Sequence, residues 1–255
     1  MLELYHWEPA LNSGEPLILL KEKCIPFRSR YVDLLKLKQH EPKFLDINPD
    51  GQVPVLVHDK KVVTGMSIML QYIDDVFPKK PLMPADLGDQ YQVFFWVKYV
   101  EERIAPAISL LGWHRFTRPT LKPALIAKAR KSVRKLPPER QAVWKQALKD
   151  SCADAEIGLA RDSLALAVGK LEGALKHSPW LAGQSYSLAD IALVFMARAM
   201  RNVIPDIMNA KATPKTWAWL KKLERRKAVN DVLALARTAE PDKIFAPGPE
   251  MARWG

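Results

Sequence analysis

The side chains able to do chemistry fall in a few short runs. Asn12-Ser13 precede a helical pattern over Glu15–Lys23, in which Leu17, Leu20 and Cys24 share one face and Pro16 suits the first turn. Ser13 is therefore a hydroxyl at the positive end of a helix. Such a group can cap the helix, or it can donate to an anion such as a thiolate and lower a thiol pKa that is otherwise about 8.5. Gln39-His40 add polar groups further on, and His40 can offer whichever ring nitrogen faces a partner. Tyr91, Phe95, Trp96, Tyr99, Trp113, His114 and Phe116 crowd one helical stretch. They suit either a helix-bundle core or the lining of an aromatic pocket, and Trp113 and His114, just after Gly112, favour the pocket. Paired carboxylates for acid–base catalysis are not evident. Cys24 and Cys152 form neither a CxxC pair nor a metal-ligand spacing, so no metal is expected and Cys24 reads as core.

These runs need elements to hold them. Leu2–Tyr5, Phe27–Leu34, Val53–Val57 and Lys61–Val63 read as strands, the last two joined by a turn at His58-Asp59-Lys60. Helices are expected at Glu15–Lys23, Gln39–Ile47 and Met66–Phe77, the last with Ile68, Met69, Tyr72, Ile73 and Val76 on its apolar side. The order βαβ then ββα, in fewer than about eighty residues, is the thioredoxin arrangement. Pro78 to Pro84 form a proline-rich linker, and only helical patterns follow it. The first spans Leu87–Leu111 with a kink at Pro106. Ser187 and Asp190 have capping-box spacing ahead of an almost wholly apolar helix, and read as folding devices. The fold class is thus α+β followed by all-α, with domains at 1–78 and 87–255 and a linker at 79–86. The last fifteen residues read as an irregular extension.

Composition narrows the classes of partner. Of 255 residues, 48% are hydrophobic and 26% charged, an ordinary globular balance. No apolar run reaches the ~18 residues of a membrane span, and the N-terminus lacks a signal-peptide pattern. Two distant cysteines point to a reducing cytoplasm. The net charge of +11 is concentrated in 115–149 and 211–227. It reads as solvated helix faces or as a surface for an anionic substrate. No nucleic-acid motif accompanies it, so no nucleic acid is expected.

The run Ile47–Leu56 (INPDGQVPVL), the Ala182-Gly183 and Tyr186–Asp190 segment, and the order of elements together resemble the cytosolic glutathione transferases. A narrower likeness lies in Asn12-Ser13, Lys38-Gln39-His40, Val62-Val63-Thr64, Asp75-Val76-Phe77-Pro78 and the spacing from Trp96 to Gly112-Trp113. These are similar to the bacterial lignin β-etherases, glutathione transferases that cleave β-aryl ethers of lignin-derived aromatics.

The resemblance implies a site. Glutathione would be the co-substrate, with Ser13, assisted by Asn12, holding its thiolate. Gln39 and His40 would meet the glycine carboxylate. Gln52-Val53-Pro54 would carry the family's cis-proline, with Val53 pairing with the cysteinyl backbone. Trp96, Tyr99, Trp113, His114 and Phe116 would line the pocket for an aromatic substrate. A homodimer is implied, with a heterodimer as the alternative. One position departs from the pattern. Where the family has an acidic residue followed by a hydroxyl, to hold the γ-glutamyl ammonium and carboxylate, this chain has Gly65-Met66, with Ser67 one residue on. Losing two charged hydrogen bonds would weaken glutathione binding, each being worth about 1.5–3 kcal/mol. Backbone N–H groups at that helix start can still accept a carboxylate. The alternative function is accordingly a member of the fold with weakened or lost glutathione binding, acting as a binding protein or heterodimer subunit.

Overall fold

The structure is a computed structural model and describes residues 1–149 and 151–247. Its first part is a four-stranded sheet in the order β2-β1-β3-β4. Strand β1 (Leu2–His6) alternates, burying Leu2, Leu4 and His6. It pairs in parallel with β2 (Arg28–Tyr31) and antiparallel with β3 (Val55–His58), which pairs antiparallel with β4 (Lys61–Val63). A parallel pair needs a crossover, and α1 (Leu11–Glu22) supplies it. Asp59 and Lys60 both have positive φ, as a two-residue turn matching strand twist requires. Strand β3 starts at Val55, later than the expected Val53, because Pro54 has no N–H to give the ladder. Strand β2 is shorter than expected and largely exposed, and is bound to β1 by Arg28 and Arg30 on Glu3.

Two local readings are corrected. Helix α1 begins at Leu11, four residues early, so neither Asn12 nor Ser13 is its cap; the N-cap is Ala10 and Pro16 lies inside the helix. Cys24 is exposed, not core. The helix closes before the apolar spacing runs out: Ile25 N–H bonds Leu20 O, Cys24 N–H bonds Lys21 O, and Cys24 takes φ +55 in the left-handed position that ends a Schellman motif.

Helix α2 (Pro42–Leu45) is a single turn after a 3₁₀ turn at Lys38–His40. Helix α3 (Met66–Val76) buries Met66, Met69, Leu70 and Ile73, while Ile68 and Val76, expected on its apolar side, are exposed. The chain then crosses to the helices over a tied linker. Asp74 accepts from the N–H groups of Leu82 and Met83 and pairs with Lys23 at 2.5 Å. Both charged side chains are buried, and their remaining capacity is used, Lys23 also donating to Lys80 O. That is the condition under which a buried ion pair is tolerable.

The expected long helix is α4 (Leu87–Tyr99) and α5 (Ala105–Gly112), joined by a π-helical segment at Val100–Ile104 just before Pro106. A second π-helical segment, Trp113–Thr117, follows. Helices α6 (Pro123–Ser132) and α7 (Pro138–Ala147) form the basic insertion, and α8 (Asp154–His177) leads to α9 (Leu188–Val203). Helix α9 is buried nearly all round and opens with the capping box of Ser187 and Asp190. Asp190 also accepts from Leu181 N–H and Trp219 Nε1. Helices α10 (Pro214–Glu224) and α11 (Lys227–Leu233) complete the bundle. Helix α1 lies against α3 on one side and α9 on the other. Gly14 makes this possible: a Cβ there would sit 2.1 Å from the Phe195 ring. The positions of Ser13 and of the central helix are therefore locked together. In the extension, Phe245 is buried and stacked on Phe116; residues 248–255 lie outside the described part.

Candidate active site

A cavity of about 390 Å³ opens between the two domains. Its floor is the start of α1. Ala10 provides no side-chain cap, so the first amides of α1 are free of side-chain acceptors. Leu11 enters the helix at φ +47, an uncommon conformation for a large side chain. Asn12 and Ser13 line the cavity. Ser13 Oγ accepts the Trp7 N–H at 3.2 Å, which leaves the hydroxyl proton to donate elsewhere. Pro16 withholds the N–H that would otherwise bond the Asn12 carbonyl. The result is a nearly buried hydroxyl at the positive end of a helix, facing an open volume.

At one end stand Gln39, Gly51, Gln52 and Val53, facing Arg140 and Trp144 of α7. The Val53–Pro54 bond is cis. With its amide oriented to satisfy both groups, Gln52 accepts from Arg140 Nε and Nη1 at 2.8 and 2.9 Å. Asn48 holds this loop through its bond to Gln52 O. His40 lies behind the wall, buried, with Nδ1 on Ser132 Oγ at 2.9 Å and its ring edge-on to Trp144. Burial, and the nearby Arg140 charge, push its pKa down to about 4, so it is neutral at pH 7. Gln39 Oε1, His40 Nε2 and Trp144 Nε1 are buried there without a hydrogen-bond partner among the described residues.

At the other end are Gly65 and Met66. Gly65, at φ +83, is the N-cap of α3 and has no side chain to cap it. The cap comes from the other domain: Glu101 Oε1, on the π-helical segment, accepts the Ser67 N–H at 2.8 Å. Behind it Glu15 is fully buried with both oxygens unpartnered among the described residues. Burial, and next the charge of Glu101, raise the Glu15 pKa well above the ordinary carboxylate value.

The structure therefore gathers Asn12, Ser13, Gln39, Gln52, Val53, Gly65 and Met66 onto one cavity, with Pro54 and the Ser67 amide just behind it. His40 is withheld. The five aromatic candidates are elsewhere. Trp96 and Trp113 are core residues, donating to the carbonyls of Leu181 and Ala147. Tyr99 stacks on Phe95, Phe116 stacks on Phe245, and His114 is half-buried away from the cavity wall. The wall opposite α1 is made instead by Val100, Glu101, Ala105, Ser109, Arg140 and Trp144. Arg140 and Trp144 left a trace in the sequence: with Ala147 they mark one buried face of α7 at positions i, i+4 and i+7, and an arginine within such a face asks for a partner. Glu101 left none.

The N-terminal glutathione S-transferase domain pattern matches residues 12–76 and the C-terminal pattern residues 138–227. Protein LigF of Sphingobium sp. is 32% identical over 238 residues, 91% of this chain and 92% of LigF. This chain belongs to the glutathione S-transferase family. Glutathione S-transferase U19 of Arabidopsis thaliana is 25% identical across 92% of the chain and 89% of its own length. The crystal structure of the β-etherase LigF superposes with a TM-score of 0.84 at 31% identity, covering 91% of this chain and 98% of that one. A transferase homologue from Sulfitobacter, solved with bound glutathione, has a TM-score of 0.68 at 22% identity, over 91% of this chain and 96% of its own, and shares the fold. Among the described residues, no helix of this family member is long and apolar enough to cross a membrane.

Proposed function

We propose that this glutathione S-transferase cleaves β-aryl ether bonds of lignin-derived aromatics. One observation carries the reading: a buried serine hydroxyl with a free proton, at an uncapped helix start, facing a cavity whose second wall sets Val100, Ala105 and Trp144 among polar groups. Glutathione would lie across the end of the sheet where β3 begins, its cysteine against Val53 and its sulfur at Ser13. The Ser13 hydroxyl and the α1 amides favour thiolate over thiol. The thiolate attacks the carbon bearing the aryl ether. A C–S bond forms, the C–O bond breaks, and its electron pair leaves on the aryl oxygen as phenolate, which takes a proton from water. A phenolate leaves without an acid catalyst, so the step asks for no carboxylate pair at Ser13. Trp7, Leu11, Val100, Ala105 and Trp144 offer the apolar surface for the aryl rings.

A second reading, a subunit with weakened glutathione binding, is favoured by the lack of a carboxylate or hydroxyl at Gly65 and Met66 at the α3 end. Dimerisation belongs to either reading. Ile68 on α3, with Tyr91 and Phe94 on α4, leaves apolar side chains exposed for a second copy or a related subunit. A cytoplasmic setting, where glutathione is reduced, suits an exposed free Cys24. Calorimetry with glutathione, followed by phenol release from a β-aryl ether, tests the proposal. Saturable binding and glutathione-dependent phenol release are expected. No heat of binding at several millimolar glutathione would overturn the enzyme reading in favour of the second.

A further inference from the structure

Six serine and threonine side chains are buried among the described residues: Ser13, Ser109, Thr117, Ser187, Thr213 and Thr216. All but Ser109 have a hydrogen bond to make. Ser13 Oγ accepts the Trp7 N–H, Thr117 Oγ1 accepts the Phe245 N–H, and Ser187 caps α9. Thr213 donates to Asn209 O and Thr216 to Glu172. A hydroxyl inside a helix ordinarily turns back onto a carbonyl one turn earlier or points out to bulk solvent. The Ser109 hydroxyl makes no hydrogen bond among the described residues, and its residue is 9% exposed. Nor is it sealed in, as Trp144 Nε1 is. It opens on the cavity.

Helix α5 explains this placement. Ala107, Ile108 and Leu111 turn into the core, and Gly112 is pressed against the Phe245 ring. Ala105 and Ser109, one turn apart, share the face that lines the cavity beside Val100 and Trp144. This wall stands opposite α1, so Ser13 and Ser109 look into one volume from two sides. Displacement at a saturated carbon is an in-line event. A thiolate held at Ser13 enters from the α1 side, and the aryl oxygen departs towards the opposite wall. An aryl ether oxygen is a weak acceptor and a phenolate oxygen a strong one, so a hydroxyl placed there binds the transition state more tightly than the substrate. Resting on the reading of the cavity as the site of β-aryl ether cleavage, we propose that the Ser109 hydroxyl is a catalytic donor to the departing aryl oxygen. The C–S bond forms, the C–O bond breaks, and the electron pair leaves on an oxygen that accepts a hydrogen bond from Ser109. Ser109 keeps its proton, and the phenolate is protonated by water after it leaves.

The test uses the full chain, saturating glutathione and a series of β-aryl ethers that differ only in the departing phenol, from 4-nitrophenol to the less acidic 4-methoxyphenol. Single turnovers with enzyme in excess keep product release out of the rate. Ser109→Ala removes the donor, breaks no hydrogen bond and keeps a good helix former. It should slow release of 4-methoxyphenol by about ten- to a hundredfold, the range of one hydrogen bond to a charged oxygen. Release of 4-nitrophenol, whose charge spreads into the nitro group, should slow by no more than about threefold. The dependence of rate on phenol acidity therefore steepens, while Tm and glutathione affinity stay at wild-type values. Ser109→Thr, which keeps the hydroxyl, should retain the wild-type dependence even where its added methyl slows every ether alike. An equal loss for all ethers in Ser109→Ala, or no loss, overturns the proposal while the ether-cleavage reading stands. A wild type that binds glutathione but cleaves none of the ethers overturns both.

Discussion

The two walls of the cavity were built in different ways. The wall from the thioredoxin-like domain comes from residues close in sequence to the turns that place them: Asn12-Ser13 at the start of α1, Gln52-Val53-Pro54 ahead of β3, Gly65-Met66 at the start of α3. Each is fixed by backbone geometry, whether a helix end, a strand edge or a positive φ. The wall from the helical domain is fixed by packing. Glu101 reaches the site because a π-helical segment re-aims it, and Arg140 and Trp144 because an inserted helix folds inward. The first kind of wall tolerates substitution around it and fails when its own residue changes. The second kind depends on a core some distance away.

The largest effect that would break this contrast concerns the core aromatics. Trp113 is buried, donates to Ala147 O and packs edge-on to Trp144. Trp113→Ala should cost about 3–5 kcal/mol of stability, as large aromatic truncations in cores do, measured by urea unfolding. Substrate KM corrected for folded fraction should rise with that loss, because Trp144 of the cavity wall rests on Trp113. A variant as stable as wild type with a raised KM would return Trp113 to the substrate pocket. Next in size is Ser13→Ala. Removing a donor aimed at developing charge lowers rate by about a hundredfold, with glutathione affinity within a few-fold of wild type, because Val53 and the far end still hold the tripeptide. The thiol pKa of bound glutathione, followed by its thiolate absorbance, should rise. A normal rate would leave Ser13 no more than a group bonded to the Trp7 amide.

The same contrast explains what could be read in advance. Strand alternation in Leu2–Tyr5, the proline-rich linker and the Ser187–Asp190 box are local signals, and the two-domain fold was legible from them. Cys24 misled because a 3–4 apolar spacing does not say where a helix stops; its left-handed turn does. Ser13 was placed at the right helix end, although α1 begins four residues earlier than its composition suggests. The aromatic run from Trp96 to Phe116 was ambiguous in principle. Core and pocket both select large apolar side chains, and only burial against α8, α9 and Phe245 separates them. Glu101 carried no local mark, since its partner, the Ser67 amide, is thirty-four residues away and in the other domain.

Arg140 gives a smaller effect on the packed wall. Its guanidinium donates to Gln52 at the Val53 end and to Pro247 O. If that end receives the glycine carboxylate, Arg140→Met should weaken glutathione about tenfold and leave γ-glutamylcysteine, which lacks the glycine, nearly unaffected. Equal loss for both ligands would instead assign Arg140 to bracing the Asn48–Gln52 loop.

The smallest effect is on stability, and it concerns a residue that the sequence placed in the site and the fold withdrew from it. His40 is neutral in the folded state down to about pH 4, because burial and the Arg140 charge oppose its protonation, whereas an unfolded histidine takes a proton near pH 6.5. Between those limits the unfolded chain binds more protons at this residue, so the His40 contribution to stability rises with pH from about 4 to about 6.5 and is lost as pH falls. Asp190 acts with the opposite sign: burial raises its pKa to about 6, so the folded chain holds the extra proton and its contribution falls as pH rises from about 4 to 6. The two partly cancel in wild type. The difference in Tm between wild type and His40→Asn, measured across pH 4–7.5, removes the Asp190 part. It should grow more favourable to wild type as pH rises to about 6.5 and level off above it. A flat difference would mean that His40 is solvated and able to reach a ligand carboxylate, moving it back onto the wall with Gln39.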